Sequence, residues 1–157
     1  MTRCILTSIL LLALFVSFGV VASVGLPSMA AAGLATNESS AVYHLLMLKE
    51  AELKFKATTG KGRFGTMREL KEEKLIGDDL ASGLKDGYCF VLTTTSEAFE
   101  VRAAPAQYPA DGRRSFYFSL EDGIIRAADK QGLAADANDP PLPESERVAA
   151  SPADQAR

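Results

Sequence analysis

The sequence predicts an α+β domain in which a long first helix packs on a small antiparallel sheet of about four strands. Up to Ala57, the apolar residues either form one continuous run or recur at helical spacing. From Gly87 onward they alternate with a period of two, and β-branched and aromatic residues become common. A helical part followed by a run of strands is typical of α+β folds, in which a helix covers one face of the sheet.

The apolar run extends from Ile5 to Leu26, 22 residues without a charge, and Pro27 follows it. At about 1.5 Å per residue it reaches roughly 33 Å as a helix, close to the thickness of a bilayer core. Because Arg3 precedes the run, we expect a single-pass anchor in the cytoplasmic membrane with the C-terminal domain in the periplasm. Small residues that allow close packing with another membrane helix are Ser17, Gly19, Ala22, Ser23 and Gly25.

A cleaved secretory signal peptide is the alternative for this segment. The small residues Ala30, Ala31 and Ala32 offer a cleavage site, and loss of residues 1–32 would leave a secreted protein. The apolar core of a signal peptide usually spans about 7–15 residues, so the length of the run favours a retained anchor. Cys4 and Cys89 lie on either side of the run, so neither alternative allows an internal disulfide.

An amphipathic helix is predicted from Glu38 to Ala57, with Thr36 or Asn37 as its cap and Thr58-Thr59-Gly60 as its end. Its apolar face contains Ala41, Val42, Leu45, Leu46, Leu48, Leu53 and Phe55. The remaining positions predict a solvated side that contains Lys49, Glu50, Glu52, Lys54 and Lys56.

Shorter elements follow. A glycine-rich loop over 60–65 leads to Thr66 and Glu69, which have the spacing of a capping box, and a short helix is expected to reach about Leu75. Residues 78–83 predict a turn or a single helical turn. The predicted strands begin at Gly87 and then cover 99–103, 115–120 and 124–127, with a tight Asp122-Gly123 turn before the last.

Composition divides the chain into three parts. Residues 1–35 form the hydrophobic anchor or signal segment, residues 36–129 the α+β domain, and residues 130–157 a tail rich in proline, alanine and aspartate. Because the tail has few large apolar groups to offset the entropy of ordering, we expect it to be mostly disordered.

The order of these elements resembles the type IV pilins and the pseudopilins of type II secretion. Gly19, Pro27 and the segment 37–42 (Asn-Glu-Ser-Ser-Ala-Val) have mutual spacings similar to those of the pilin helix. The loop and strands that resemble the family are 60–64, 87–90, 115–118 and 122–126. The resemblance covers roughly residues 5–142. It implies a non-enzymatic structural or assembly protein whose partners are subunits of a pilus or secretion assembly.

The chain departs from the family before the hydrophobic run. Pilins have a leader that ends in glycine and a glutamate at the fifth mature position, whereas the equivalent places here are near Ile5, Leu6 and Leu10. A recognisable prepilin peptidase motif is therefore lacking, and the resemblance does not by itself imply insertion into a filament.

Composition and motifs argue against nucleic-acid binding, metal binding and catalysis. The 157 residues include 17 basic and 20 acidic side chains, a balance that predicts no nucleic-acid partner. The candidate base is His44 and the candidate thiol of the domain is Cys89, which we expect to be a structural histidine and a packed thiol. Zinc needs about four ligands, so we expect no metal, no cofactor and no enzymatic activity. A calcium site built from Asp78, Asp79, Asp86, Asp111, Glu121 and Asp122 is a minor alternative.

The alternative function is a secreted or membrane-tethered periplasmic binding module that is unrelated to filament assembly. Its recognition loops would contain Arg63, Phe64, Tyr108 and Arg113, since aromatic and arginine residues are common in binding sites.

Overall fold

The computed structural model describes residues 29–150 and confirms the predicted α+β class. The helices are α1 (Met29–Ala57), α2 (Met67–Glu72), α3 (Asp78–Ala81) and α4 (Glu144–Ala149). The strands are β1 (Leu84–Lys85), β2 (Tyr88–Thr94), β3 (Phe99–Pro105), β4 (Arg114–Ser119) and β5 (Ile125–Asp129). They form one antiparallel meander in the order β1-β2-β3-β4-β5.

The fifth strand is the short β1, which the sequence pattern did not reveal. It pairs with the start of β2 across a turn at Asp86 and Gly87, whose φ values of 46° and 76° are both positive. Asp-Gly is a common choice for this turn because both central residues must adopt left-handed conformations. Two residues are too few to show an alternating pattern, so periodicity could not detect the strand.

Helix α1 is longer than predicted. Residues 29–37 are already helical, and the hydroxyl of Thr36 donates to the carbonyl of Ala32 at 3.0 Å within the helix, so the predicted cap at Thr36 or Asn37 is wrong. Alanine has the highest helix propensity, and the alanine-rich stretch before Thr36 continues the helix. The predicted end at Ala57 is confirmed.

The core lies between α1 and one face of the sheet. From α1 it contains Ala41, Val42, Leu45, Leu48, Ala51 and Phe55, and from the strands Tyr88, Phe90, Phe99, Val101, Ala103, Phe116, Phe118, Ile125 and Ala127. Leu53, which we expected on the apolar face, is instead 37% exposed. Successive residues of a helix are rotated by about 100°, so Leu53, which follows the buried Glu52, points away from the stripe that faces the sheet.

Cys89 was expected to be a packed thiol, but it is exposed. The alternation of β2 places the aromatic rings of Tyr88 and Phe90 in the core, so the residue between them points to the opposite face. Large rings bury more apolar area than a thiol, which decides which of the two faces is inside.

Residues 130–150, which composition predicts to be disordered, pack against the sheet. The N–H of Leu142 donates to the carbonyl of Ile125 at 2.7 Å, and the hydroxyl of Ser115 donates to the carbonyl of Leu133 at 2.6 Å. Leu142 is only 2% exposed. Backbone hydrogen bonds to β5 thus hold residues 130–150 in place, although this segment has few large apolar side chains to bury. Residues 151–157 lie outside the described range.

The capping box is confirmed, because the hydroxyl of Thr66 accepts from the N–H of Glu69 and the carboxylate of Glu69 accepts from the N–H of Thr66. The glycine-rich loop before it wraps around the end of α1. At Gly60, a Cβ atom would lie 2.4 Å from the carbonyl oxygen of Arg63 and 2.8 Å from the Phe55 ring. The loop therefore needs glycine here in order to close on the helix.

We expect Gly60→Ala to lower the free energy of unfolding by about 1–3 kcal/mol, because the added methyl group overpacks a site bounded by backbone. Denaturant unfolding monitored by circular dichroism measures the change. Gly77→Ala is the matched control, since a Cβ there meets nothing within 4 Å. Equal midpoints for the two variants would contradict the close packing of the loop.

Candidate functional site

The residues predicted to pack against another membrane helix lie outside the described range. Ser17, Gly19, Ala22, Ser23 and Gly25, together with the rest of the run over 5–26, therefore keep the status of a prediction. Within residues 29–150, none of the helices is both long and apolar enough to cross a membrane.

The loop residues predicted to bind a ligand do not form one site. Arg63 lies near the C-terminal end of α1, with its guanidinium carbon 5.4 Å from the centroid of the Phe55 ring. Arg113 lies near Glu38, whose carboxylate accepts from the Arg113 N–H at 3.0 Å. Glu38 and Phe55 are about 25 Å apart along the helix axis. The two parts of the predicted binding surface are thus at opposite ends of the domain.

Phe64 and Tyr108 also differ in exposure. Phe64 is 3% exposed, and its ring packs edge-on against Phe99 with the centroids 4.9 Å apart. Tyr108 is 39% exposed, and its hydroxyl donates to Asp129 at 3.4 Å. Phe64 is therefore a core residue, and only Tyr108 offers an aromatic surface to a ligand.

His44 is buried where α1 packs on the sheet. Its Nε2 lies 2.9 Å from Oδ2 of Asp86, and its ring packs edge-on against Phe90. His44 therefore lies on the inner face of the sheet, whereas Cys89 points to the outer face. The thiol and the imidazole are separated by the sheet and do not form a catalytic pair.

Of the acidic residues considered for calcium, Asp78 and Asp79 contact lysines, and Asp122 contacts Arg126 at 2.6 Å. Asp78 contacts Lys71 at 3.2 Å and Asp79 contacts Lys85 at 3.0 Å. Among residues 29–150, the structure shows no group of three or more histidine, cysteine, aspartate or glutamate side chains that is arranged to hold a metal.

A polar cluster joins α1 to the sheet. Oε1 of Glu38 accepts from the backbone N–H groups of Arg113 and Arg114 at 3.0 and 3.2 Å, and its Oε2 accepts from Nε of Arg114 at 2.8 Å. Beside it, the Asn37 side chain donates to the carbonyl of Asp111 at 3.0 Å. We call these residues the helix clamp. It holds α1 where the helix begins to cover the sheet.

The helix clamp continues into the last described segment. Arg114 uses its second nitrogen, Nη2, to donate to Glu146 of α4 at 2.8 Å. One guanidinium therefore binds a glutamate of α1 and a glutamate of α4. The sequence did not predict this cluster because its members are up to 108 positions apart, from Glu38 to Glu146. A glutamate near a predicted helix start is ordinarily expected to be solvated.

A second glutamate of α1 was assigned to the wrong face. Glu52 was expected on the solvated side, but it is completely buried. The signal was present, because Glu52 continues the alternating spacing of four and three residues set by Ala41, Leu45 and Leu48. A glutamate is usually expected at the surface, but the position of residue 52 on the helix places its side chain in the core.

The buried carboxyl of Glu52 has one hydrogen bond. Its Oε2 accepts from the N–H of Gly65 at 2.9 Å, and its Oε1 has no hydrogen-bond partner among residues 29–150. Burial raises the pKa of this carboxyl from 4.5 to about 7, and the nearby negative charge of Glu69 adds to the rise. The Gly65 hydrogen bond and the positive charge of Arg63 act in the opposite direction. Glu52 therefore titrates near neutral pH.

Comparison with known proteins adds no family assignment. No protein-family model matches the chain, and no curated protein or solved structure matches it. Within residues 29–150, the geometry offers a helix-to-sheet junction held by hydrogen bonds and a completely buried carboxyl at Glu52.

We expect Glu38→Gln to lower the free energy of unfolding by about 1–3 kcal/mol, because an amide nitrogen would replace an oxygen that accepts from charged Arg114. Urea unfolding of the full chain in detergent measures the change. Glu50→Gln is the matched control on the same helix: its carboxylate is 67% exposed, and an exposed pair contributes less than about 1 kcal/mol. A loss no greater than that of the control would contradict a structural role for the clamp.

Proposed function

We propose that this protein is a non-enzymatic, pilin-like structural or assembly subunit, anchored in the cytoplasmic membrane by residues 5–26 with its domain in the periplasm. The observation that carries the proposal is the helix clamp. Because Glu38 accepts three N–H groups from the start of β4, the position of α1 is fixed relative to the sheet. A subunit that positions a domain relative to a membrane segment needs such a rigid junction.

The turns of α1 that precede the clamp support the same proposal. Ala32, Gly33, Ala35 and Thr36 are exposed, so this stretch of the helix is free of the sheet. All four residues are small, which allows a neighbouring helix to approach closely. The segment 37–42, which resembles the corresponding pilin segment, follows directly after these residues on α1 and includes Asn37 and Glu38 of the clamp.

The alternative is a secreted or tethered binding module. The separation of Arg63 from Arg113 along α1 argues against one ligand site that uses both loops. The intact mass of the protein from the native host distinguishes the two functions, because it shows whether the N-terminal segment has been cleaved. Loss of residues 1–32 would support the secreted alternative and contradict the anchor.

Topology can be tested with the exposed thiol of Cys89. In a Cys4→Ser variant, we expect a membrane-impermeant maleimide to label Cys89 in intact spheroplasts, because a periplasmic domain presents this thiol to the medium. A Cys89→Ser variant is the control for background labelling. Labelling that appears only after lysis would place the domain in the cytoplasm and contradict the proposal.

Partner contact through the membrane segment can be tested at Gly19 and Ser23. We expect the double change Gly19→Leu and Ser23→Leu to reduce co-purification of partner membrane proteins at least severalfold, because larger side chains separate helices that pack through small residues. Val21→Leu is the control, since Val21 faces away from Gly19 and Ser23 on a helix. Unchanged recovery in the double variant would contradict a role for this face.

A further inference from the structure

We propose that Glu52 is a proton-sensitive latch that holds the loop over 60–65 closed on the end of α1. When the carboxyl is protonated the loop stays closed, and when it is ionised the loop opens more often. This inference concerns regulation of the domain and does not depend on the proposed function.

The closed loop places Glu52 in an unfavourable setting for a charge. The carboxyl is completely buried, accepts one hydrogen bond from the Gly65 N–H at 2.9 Å, and leaves Oε1 without a partner among the described residues. A buried carboxylate is stable only when several donors or a cation compensate for lost water. One neutral N–H is too little, so the closed state favours the protonated form.

The loop itself is tightly seated, and its opening would reach Glu52. A Cβ on Gly65 would lie 2.9 Å from the Phe55 ring, and Phe64 is packed against Phe99. Because Gly65 supplies the hydrogen bond to Glu52, lifting the loop both breaks that bond and admits water to the carboxyl. The same movement uncovers the ring of Phe64.

The charged groups that face Glu52 from the loop and from α2 are Arg63 and Glu69. They bind each other, with Nη2 of Arg63 2.6 Å from Oε1 of Glu69. They act on the Glu52 carboxyl in opposite directions, and burial is the main cause of its raised pKa of about 7.

The other neighbours supply no compensating cation. On α1, Lys49 lies 3.7 Å from Glu50, and the ammonium of Lys56 lies 4.2 Å from the centroid of the Phe64 ring. The buried, inward-facing positions of β2 to β5 carry no charged side chain. Tyr88, the titratable residue among them, directs its hydroxyl to the backbone at the start of β4, near the helix clamp.

The direction of the pH effect follows from proton linkage. The carboxyl has a pKa of about 7 in the closed state and an ordinary value of 4.5 when exposed to water. The closed state therefore binds more protons between these values, and its stability falls as the pH rises through them. Two states with these pKa values predict about a tenfold increase in the opening equilibrium between pH 6 and pH 8.

Hydrogen exchange of the Gly65 amide in the full chain, solubilised in detergent, tests the latch. After correction for intrinsic exchange, we expect the wild-type rate to rise about tenfold between pH 6 and pH 8. Glu52→Gln should abolish this rise because the amide cannot ionise. The matched control Glu50→Gln, two residues earlier on the exposed side, should behave as wild type. A parallel rise in Glu52→Gln, or no rise in wild type, would overturn the proposal.

A second measurement keeps the test decisive if Glu52→Gln does not fold. The side-chain carboxyl carbon of Glu52 can be followed by NMR in the wild-type protein across the same pH range. A midpoint at or above pH 6 supports the latch, and a midpoint below pH 6 overturns it.

Discussion

The contact between one stripe of α1 and the inner face of the sheet organises the whole domain. The stripe runs through Ala41, Leu45, Leu48 and Phe55, each at most 2% exposed, and it covers the aromatic and aliphatic side chains of four strands. Burial of this apolar area is the main force available to a domain with no disulfide among its described residues. The loop, the helix clamp and the last described helix all lie along the borders of this contact. The helix clamp lies at the N-terminal end of this contact, and the loop over 60–65 lies at its C-terminal end.

The two ends of the contact use glutamate in opposite ways. At one end, Glu38 is partly exposed and accepts three N–H groups, one of them from a guanidinium, so its negative charge is well compensated. At the other end, Glu52 is completely buried with one neutral donor. The first glutamate ties the helix to the sheet through these hydrogen bonds. The second glutamate can be ionised only if the packing around it loosens. The clamp end of α1 is therefore fixed, whereas the loop end responds to pH.

Sequence patterns identified the fold class, the capping box at Thr66 and most strands, because these depend on local spacing. They failed where the outcome depends on partners distant in the chain. Alternation in β2 defines two faces, yet only packing of Tyr88 and Phe90 against α1 decides that Cys89 points outward. The helix clamp joins Glu38 to Arg114 across 76 positions, which no local pattern records. Glu52 shows a third kind of failure, because its spacing predicted the core while its residue type predicted the surface.

The two borders of the sheet are protected unequally. Along β5, the segment through Leu142 adds backbone hydrogen bonds that cover the outer strand. On the opposite border, β1 pairs only with Tyr88 and Cys89, so within the described residues nothing pairs with the outer side of 91–94. Strand β2 has neither a charge nor a proline to discourage intermolecular pairing. The outer side of 91–94 therefore offers unpaired backbone groups to which a strand of another chain can add.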